Sequence, residues 1–265
     1  MKRPNRISVV INTYNAEEFL ASVLDSVKDF DEILVCDMES TDNTVEIARQ
    51  HGCKVVTFPK KNYTCAEPAR TFAIKSSQGP WVLVVDADEL VTPELHDYLY
   101  RRIESDDCPE GLWIPRRDHI MNKLRREKAR DYQLRFFLRD VTEWPPYVHT
   151  FPKVEGRVER ISPNEKNVEL IHLDENRLRS RLDKINRYTE GELEKKKNKR
   201  WGLGALFYRP FWRFFRSYVL MREFRYGKAG FIKCLYDGLY QFVLVSKLIE
   251  RRMRKEDTNK QPNKD

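Results

Sequence analysis

The first hundred residues alternate short apolar runs with stretches of helical periodicity, and few folds can accommodate that pattern. Ile7-Ser8-Val9-Val10-Ile11 reads as a buried strand, after which Phe19, Leu20, Val23, Leu24 and Val27 recur at helical spacing. Asn15 with Glu18 three residues later is a start signal for that helix. Ile33-Leu34-Val35-Cys36 gives a second strand, and Ser40-Thr41-Asp42 precedes a helix carrying Val45, Ile47 and Ala48. Val55-Val56-Thr57-Phe58 is a third strand, a helix follows through about residues 66–76, and Trp81-Val82-Leu83-Val84-Val85 is a fourth strand. Thr92-Pro93 opens another helix, since proline suits a first turn. The alternation predicts an α/β fold with a mostly parallel, Rossmann-like sheet covered by helices on both faces. Ligands of such sheets bind beyond the carboxyl ends of the strands.

From Gly111 the pattern changes. Leu112-Trp113-Ile114 and Gln133-Leu134-Arg135-Phe136-Phe137-Leu138 read as strands separated by the polar stretch 116–130. The chain is loop-rich with scattered proline over 141–163, charged and helical over 178–199, aromatic and basic over 201–253, and polar, hence expected to be disordered, from 254 on. The formal net charge of +8 is unevenly spread. Residues 190–265 hold 19 Lys/Arg against 9 Asp/Glu, a net of +10, so a near-neutral body carries a basic tail.

No run approaches the ~18 to 20 uncharged apolar residues of a transmembrane helix. The apolar run after Met1-Lys2-Arg3 is too short for a signal-peptide core. Cys36, Cys53, Cys65, Cys108 and Cys234 are odd in number and lack CxxC spacing, which disfavours a disulfide framework or a zinc knuckle and suits reduced thiols in a cytosolic protein. Cys65 reads as a small buried residue, and His51, His96 and His119 as surface residues.

The sharpest chemical feature is Asp86-Ala87-Asp88-Glu89, directly after the fourth strand. Clustered carboxylates there can hold Mg²⁺ or Mn²⁺, and such a cation can grip a diphosphate and stabilise its departure. An acidic loop at a helix entrance would look the same in isolation. Here the first strand also ends in Asn12-Thr13-Tyr14-Asn15, and the second in Asp37 followed by Ser40-Thr41-Asp42. Asn15 and Ser40 suit helix caps. Capping leaves unexplained Tyr14, whose ring can stack on a base, and Asp37, which can accept from a uracil N–H. There is no Walker loop, GxSxG or HExxH, and no GxGxxG follows the first strand.

Taken together, Val10 to Asn15, Asp37 with Ser40 to Thr44, Ala69-Arg70, Gly79-Pro80-Trp81 and Asp86 to Glu89 resemble the nucleotide-binding half of a family 2 glycosyltransferase with the GT-A fold. Asp131 to Phe137, Val148-His149, His172, Asn186 to Thr189 and Pro210 to Phe215 resemble the bacterial branch that adds glucose to the inner core of lipopolysaccharide or lipooligosaccharide, as β-1,4-glucosyltransferases. The resemblance implies that Asn12, Tyr14, Glu17 and Asp37 contact uridine and that Arg70 pairs with the diphosphate. Asp86 would face the ribose or the metal, Asp88 would ligate Mg²⁺ or Mn²⁺, and His172 would approach the metal or the diphosphate. It further implies a GT-A catalytic domain over 1–175, divided into a nucleotide-sugar half (1–105) and an acceptor half (106–175), then a helical basic extension over 176–253. Three departures stand out: Met38-Glu39 replaces small residues, Thr71 replaces an asparagine, and Thr150 replaces a glutamate after His149.

The function implied is a metal-dependent inverting transfer of a sugar, glucose in this branch, from a UDP-sugar to a lipid-linked saccharide. Inversion needs a base for the acceptor hydroxyl, and Asp131 and His149 are the candidates. The same fold also serves capsule or exopolysaccharide intermediates, and a non-catalytic, membrane-associated relic of the fold is a further alternative. In the tail, Phe207, Tyr208, Phe211, Trp212, Phe214, Phe215, Tyr218 and Phe224 interleave with Arg209, Arg213, Arg216, Arg222 and Arg225. Basic-aromatic helices suit an anionic membrane surface, although the same rings could form core. The expectation is a protein peripheral to the inner face of the cytoplasmic membrane, with no nucleic-acid partner.

Overall fold

The computed structural model describes residues 6–63, 66–120, 123–124, 131–146, 150–173 and 178–258. The chain forms two compact units, the second comprising everything after Asp174 together with Ile120–Lys123.

The first unit begins with β1 (Ile7–Thr13), α1 (Leu20–Val27), β2 (Glu32–Asp37), α2 (Thr44–Gln50), β3 (Lys54–Thr57), α3 (Glu67–Ser76) and β4 (Trp81–Asp86). It continues through β5 (Glu89–Val91), α4 (Pro93–Glu104), β6 (Gly111–Ile120), the short β7 (Lys123–Leu124) and β8 (Asp131–Leu138). The short strands β9 (Thr142–Glu143), β10 (Lys153–Val154), β11 (Val158–Arg160) and β12 (Leu170–His172) complete it. The main sheet runs in the order β3-β2-β1-β4-β8-β6-β12-β5. β1 pairs in parallel with both β2 and β4, β2 with β3, and β6 with β12, whereas β8 is antiparallel to its neighbours β4 and β6. The mixed α/β fold expected from the alternation is therefore present.

β1 is central, and all seven of its residues are buried, as an apolar strand covered on both faces must be. On one face Val9, Ile11, Leu83 and Val85 share a core with Leu20, Val23 and Leu24 of α1 and Leu95 and Leu99 of α4. On the other, Val10, Leu34, Val82 and Val84 pack with Ala69, Ala73 and Ile74 of α3 and with Phe137 and Trp144. Gly79 permits close approach before β4: a Cβ there would lie 2.6 Å from Ser8 Oγ, the atom that its own N–H donates to at 2.8 Å.

Several local expectations need correcting. α1 starts at Leu20 and α2 at Thr44, and neither has a side-chain cap; Asn15 and Ser40 do not cap helices because their side chains join two loops instead. β6 runs on through Arg116-Arg117-Asp118, inside the stretch read as a polar connection. Charged residues persist in this strand because each finds a partner: Glu89 for Arg116, Glu169 for Arg117 and His172 for Asp118. His96 is not a plain surface residue, since its ring packs 4.8 Å from those of both Phe30 and Tyr100. Thr92 does cap α4, accepting from Leu95 N–H at 3.3 Å with Pro93 in the first turn. Cys36, Cys53, Cys108 and Cys234 are free thiols, and Cys65 lies outside the described residues.

The second unit contains α5 (Leu178–Lys196), α6 (Ala205–Phe215), a π turn (Arg216–Leu220), a 3-10 turn (Glu223–Tyr226) and α7 (Lys228–Thr258). α7 continues to Thr258, beyond the point at which the polar composition suggested a disordered tail. It packs against both α5 and α6. Two glycines allow close contacts of α7: Gly238, whose added Cβ would lie 3.2 Å from the Pro210 carbonyl oxygen, and Gly230, where a Cβ would overlap the Glu223 carbonyl. α6 is amphipathic in the inverted sense. Arg209 donates to Gln241 of α7 at 3.0 Å, and Ser217, two turns along the same face, donates to Asp237 of α7 at 2.8 Å. Phe207 and Phe211 are 77% and 70% exposed, with Tyr208 and Trp212 also exposed. Phe214, Tyr218 and Phe231 instead pack on one another, with Phe214 and Tyr218 half-buried and Phe231 still 43% exposed, so the aromatic stretch divides between outward rings and rings that meet α7. Among the described residues, no helix is long and apolar enough to cross a membrane.

Candidate active site

The parallel registers Asn12↔Asp86 and Thr13↔Asp37 bring the carboxyl ends of β1, β2 and β4 side by side. Asn12, Tyr14, Asp37 and Asp86, expected from the sequence to share a site, therefore lie along one edge of the sheet. The loops that follow β1 and β2 are laced together. Asn15 N–H donates to Ser40 Oγ at 2.9 Å, and Thr41 N–H donates to Asn15 Oδ1 at 2.8 Å. Ala16 N–H donates to Thr44 Oγ1 at 2.8 Å and Glu17 N–H to Asp42 Oδ2 at 3.1 Å. The Glu17 carboxylate accepts from Asn43 Nδ2 at 2.9 Å, which places it against the loop before α2.

Asp37 is buried and well supplied with donors, accepting from Thr13 Oγ1 at 3.0 Å, Ser40 N–H at 2.9 Å and Ser40 Oγ at 2.5 Å. Tyr14 is exposed, with Lys60 Nζ 4.3 Å above its ring centre. Glu39 adopts φ 60°, the left-handed region in which small residues are at ease. Its carboxylate accepts from Lys60 N–H at 3.1 Å, and Met38 is buried in the core on the α3 face. Thr71 Oγ1 donates to the Trp144 carbonyl at 2.8 Å, so this departure has a structural task.

Asp86 lies between two buried arginines. Arg70 of α3 donates from Nη2 to Asp86 Oδ1 at 2.7 Å, and Arg135 of β8 donates to Oδ2. Both guanidiniums lie over the Trp144 ring, at 4.5 and 5.5 Å. Burial alone would raise the Asp86 carboxyl, but Arg135 and Arg70 outweigh it and hold it well below the usual carboxylate range. The adjoining Glu89 is fully buried, accepts from Asp86 N–H at 3.1 Å, and is raised by burial and by the Asp86 charge. Arg116 links Glu89, at 3.1 Å, to Asp131, which it grips with two donors at 2.9 and 3.3 Å. Asp131 thus sits one side chain away from the acidic turn, with Gln133 Nε2 also donating to it at 2.9 Å.

Several hydrogen-bonding groups at this edge are unspent. Among the described residues, and beyond a weak contact with the Cys36 thiol, the Asn12 amide has no hydrogen-bond partner for either polar atom, although the residue is only 7% exposed. Nε and Nη1 of both Arg70 and Arg135 are likewise buried without acceptors among the described residues.

His172 sits between Asp88, 3.3 Å from Nε2, and Asp118, 3.0 Å from Nδ1. Burial would lower this imidazole, but the hydrogen bonds to Asp118 and Asp88 prevail and push it up to about 10. Among the described residues no set of three or more His, Cys, Asp or Glu side chains is arranged to hold a metal. Asp86 is committed to its arginines, which leaves Asp88 and His172 as a two-donor pair. A hard cation that keeps water and takes phosphate oxygens needs no more protein ligands than that. His149 lies outside the described residues.

The sequence reading missed Arg116, Arg135 and Asp118. One signal was available, because Arg135 interrupts an otherwise apolar strand between Leu134 and Phe136, and a charge in such a place needs a buried partner.

A doubly covered α/β sheet with a polar, arginine-lined edge at its parallel strand ends has the arrangement in which sheets of this kind bind their ligands. Residues 8–154, more than half of the chain, match the model for glycosyl transferase family 2, and the chain belongs to that family. It is 27% identical over 270 residues to an uncharacterized glycosyltransferase of Rickettsia felis, covering 94% of this chain and 91% of the relative. It is 24% identical over 264 residues to the lipopolysaccharide core biosynthesis glycosyltransferase LpsC of Rhizobium meliloti, covering 96% and 95%. The fold is shared with S. aureus TarS 1-349, solved in complex with UDP-GlcNAc, at a TM-score of 0.52 and 16% identity over 89% of this chain and 81% of that one. The protein is a glycosyltransferase with the GT-A arrangement.

Proposed function

We propose that the protein transfers a hexose, glucose by its sequence resemblance, from a UDP-sugar to a lipid-linked saccharide of the lipopolysaccharide inner-core type, with inversion at the sugar carbon. The observation that carries this reading is the set of unspent buried groups on Asn12, Arg70 and Arg135 around Asp86. Each buried donor or acceptor left unmatched costs about 1–3 kcal/mol, and a ligand with matching oxygens recovers that cost. A nucleoside diphosphate brings such a set, and a guanidinium fork suits its phosphates. The UDP-GlcNAc bound by TarS and the role named for LpsC support the same donor and acceptor classes.

In this reading Tyr14 stacks on the base, while Asn12, Glu17 and Asp37 form and support the uridine end. Arg70 meets the diphosphate, and Asp86 holds the two guanidiniums in place. Asp88 and His172 would hold Mg²⁺ or Mn²⁺, with His172 giving Nε2 in place of its proton. A cation held there would supply positive charge to offset that of the leaving diphosphate. The acceptor hydroxyl oxygen bonds to the sugar carbon as the bond to the diphosphate oxygen breaks, and its proton passes to the base, Asp131 or His149. The exposed rings of α6 and the basic tail favour work at an anionic membrane surface on the cytoplasmic side, where a lipid-linked acceptor is met.

A screen of nucleotide sugars tests this reading. UDP-glucose with Mg²⁺ or Mn²⁺ should stabilise the fold and be slowly hydrolysed, with ADP- and GDP-sugars inactive. Absence of any metal-dependent effect of UDP or its sugars would overturn it.

A further inference from the structure

The second unit holds a cleft of about 470 Å³ for which sugar transfer has no use. α5 lends it Arg181, Lys184 and Tyr188, α6 lends Arg213, and α7 lends Tyr236 and Tyr240. Two acids also line it, and both are already engaged. Glu192 accepts from the Tyr240 hydroxyl at 2.7 Å and from Lys196. Asp237 accepts from Ser217 at 2.8 Å and from Lys233 at 3.2 Å. Of the cleft's cations, Arg213 and Lys184 are not matched in the same way. Arg181 lies 6.0 Å from the centre of the Tyr236 ring. Among the described residues, neither Arg213 nor Lys184 has a hydrogen-bonded or ion-paired partner.

Arg213 is half-buried on the inward face of α6, on the stripe that includes Arg209 and Ser217. A guanidinium withdrawn from water beside aromatic walls, with no carboxylate upon it, is costly to maintain. That cost is offset if an anion arrives, and a planar fork beside a point charge suits phosphate. Tyrosine hydroxyls can add donors. We propose that this cleft binds a phosphate group, with Arg213 and Lys184 as its ligands, at a site built wholly from the second unit. The proposal is independent of the sugar-transfer reading. A lipid headgroup and free phosphate present the same chemistry, so the test must separate them.

Full-length protein is measured at fixed ionic strength against phosphatidylcholine vesicles with and without phosphatidic acid, by co-sedimentation, and against inorganic phosphate, by calorimetry. The variants are Arg213→Gln and Lys184→Gln, with Lys228→Gln as a control that removes the same charge outside the cleft. A headgroup site predicts that each cleft variant weakens binding to phosphatidic acid vesicles about tenfold, as loss of a charge-assisted contact does, while the control changes it little. Binding to pure phosphatidylcholine should stay the same. Loss confined to inorganic phosphate would still support the cleft and assign it to a soluble phosphate. Cleft variants that match the control in both arms would overturn the proposal. Lys184 is exposed, so its variant carries the test if Arg213→Gln fails to fold.

Discussion

Arg135 in the first unit and Phe211 in the second both sit where their chemistry alone would not place them. Arg135 is 5% exposed with its guanidinium over the Trp144 ring, and Phe211 is 70% exposed on the outer face of α6. Arg135 is tolerable because Asp86 meets it, and the pair rests within a network that includes Arg70, Glu89, Arg116 and Asp131. Phe211 has no comparable compensation, since its nearest aromatic neighbour, Phe215, is itself partly exposed. An interior charge with a partner organises a polar site, whereas an exposed ring on a helix whose arginines face inward leaves apolar surface in water. The first unit thus spends polar groups inside its fold, and the second spends apolar groups outside.

The largest expected effect concerns the polar interior. Asp88→Asn keeps shape and removes the charge that faces His172; turnover should fall about a thousandfold, roughly 4 kcal/mol of lost transition-state stabilisation, while the fold survives with only a modest loss of stability from the broken ion pair. Steady-state assays with Mg²⁺ or Mn²⁺ check this, and full activity would remove Asp88 from the site.

Breaking the buried pair comes next. Arg135→Met leaves Asp86 with one guanidinium, and urea unfolding should record a loss of about 3 kcal/mol. If stability is kept, the network is not what makes the interior charge tolerable.

The outer rings should behave in the opposite way. Replacing both Phe211 and Trp212 by Ser should leave stability within about 0.5 kcal/mol, as for most surface changes. Affinity for vesicles, neutral ones included, should fall about tenfold or more, since each ring withdrawn from water contributes about 1.5–3 kcal/mol. A marked loss of stability with unchanged vesicle binding would make these rings core and erase the contrast.

The smallest effect is a pH dependence at Glu32. Burial raises its carboxyl, but the donors Ser8 Oγ and Gln78 N–H, with Lys54 nearby, together hold it below its ordinary value. A carboxyl depressed by folding stabilises above its unfolded value, and that contribution is lost as pH falls through its folded value. Glu32→Gln should therefore cost about 1 kcal/mol at neutral pH, with the gap to wild type closing below pH ~4.5 in denaturation curves.

The amino-acid sequence by itself determined the alternation of strands and helices and the ends of β1, β2 and β4. Apolar runs and their polar terminations are local, and parallel pairing then aligns those terminations without further choice. Asn12, Asp37 and Asp86 were legible for that reason. The sequence also marked the aromatic, basic stretch over 201–253. Only the tertiary structure decided what each of these groups faces. Asn15 and Ser40 carry cap-like side chains, yet they join two loops, the Ser40 hydroxyl accepting from Asn15 N–H and the Asn15 amide oxygen from Thr41 N–H. Arg116 and Asp118 read as connection and became strand, since their partners Glu89 and His172 come from β5 and β12, far along the chain. The division of the rings on α6 and α7 was equally beyond a one-dimensional reading. Composition gives the ring and the arginine, but only packing against α7 set Arg209 inward and left Phe207 and Phe211 to the solvent.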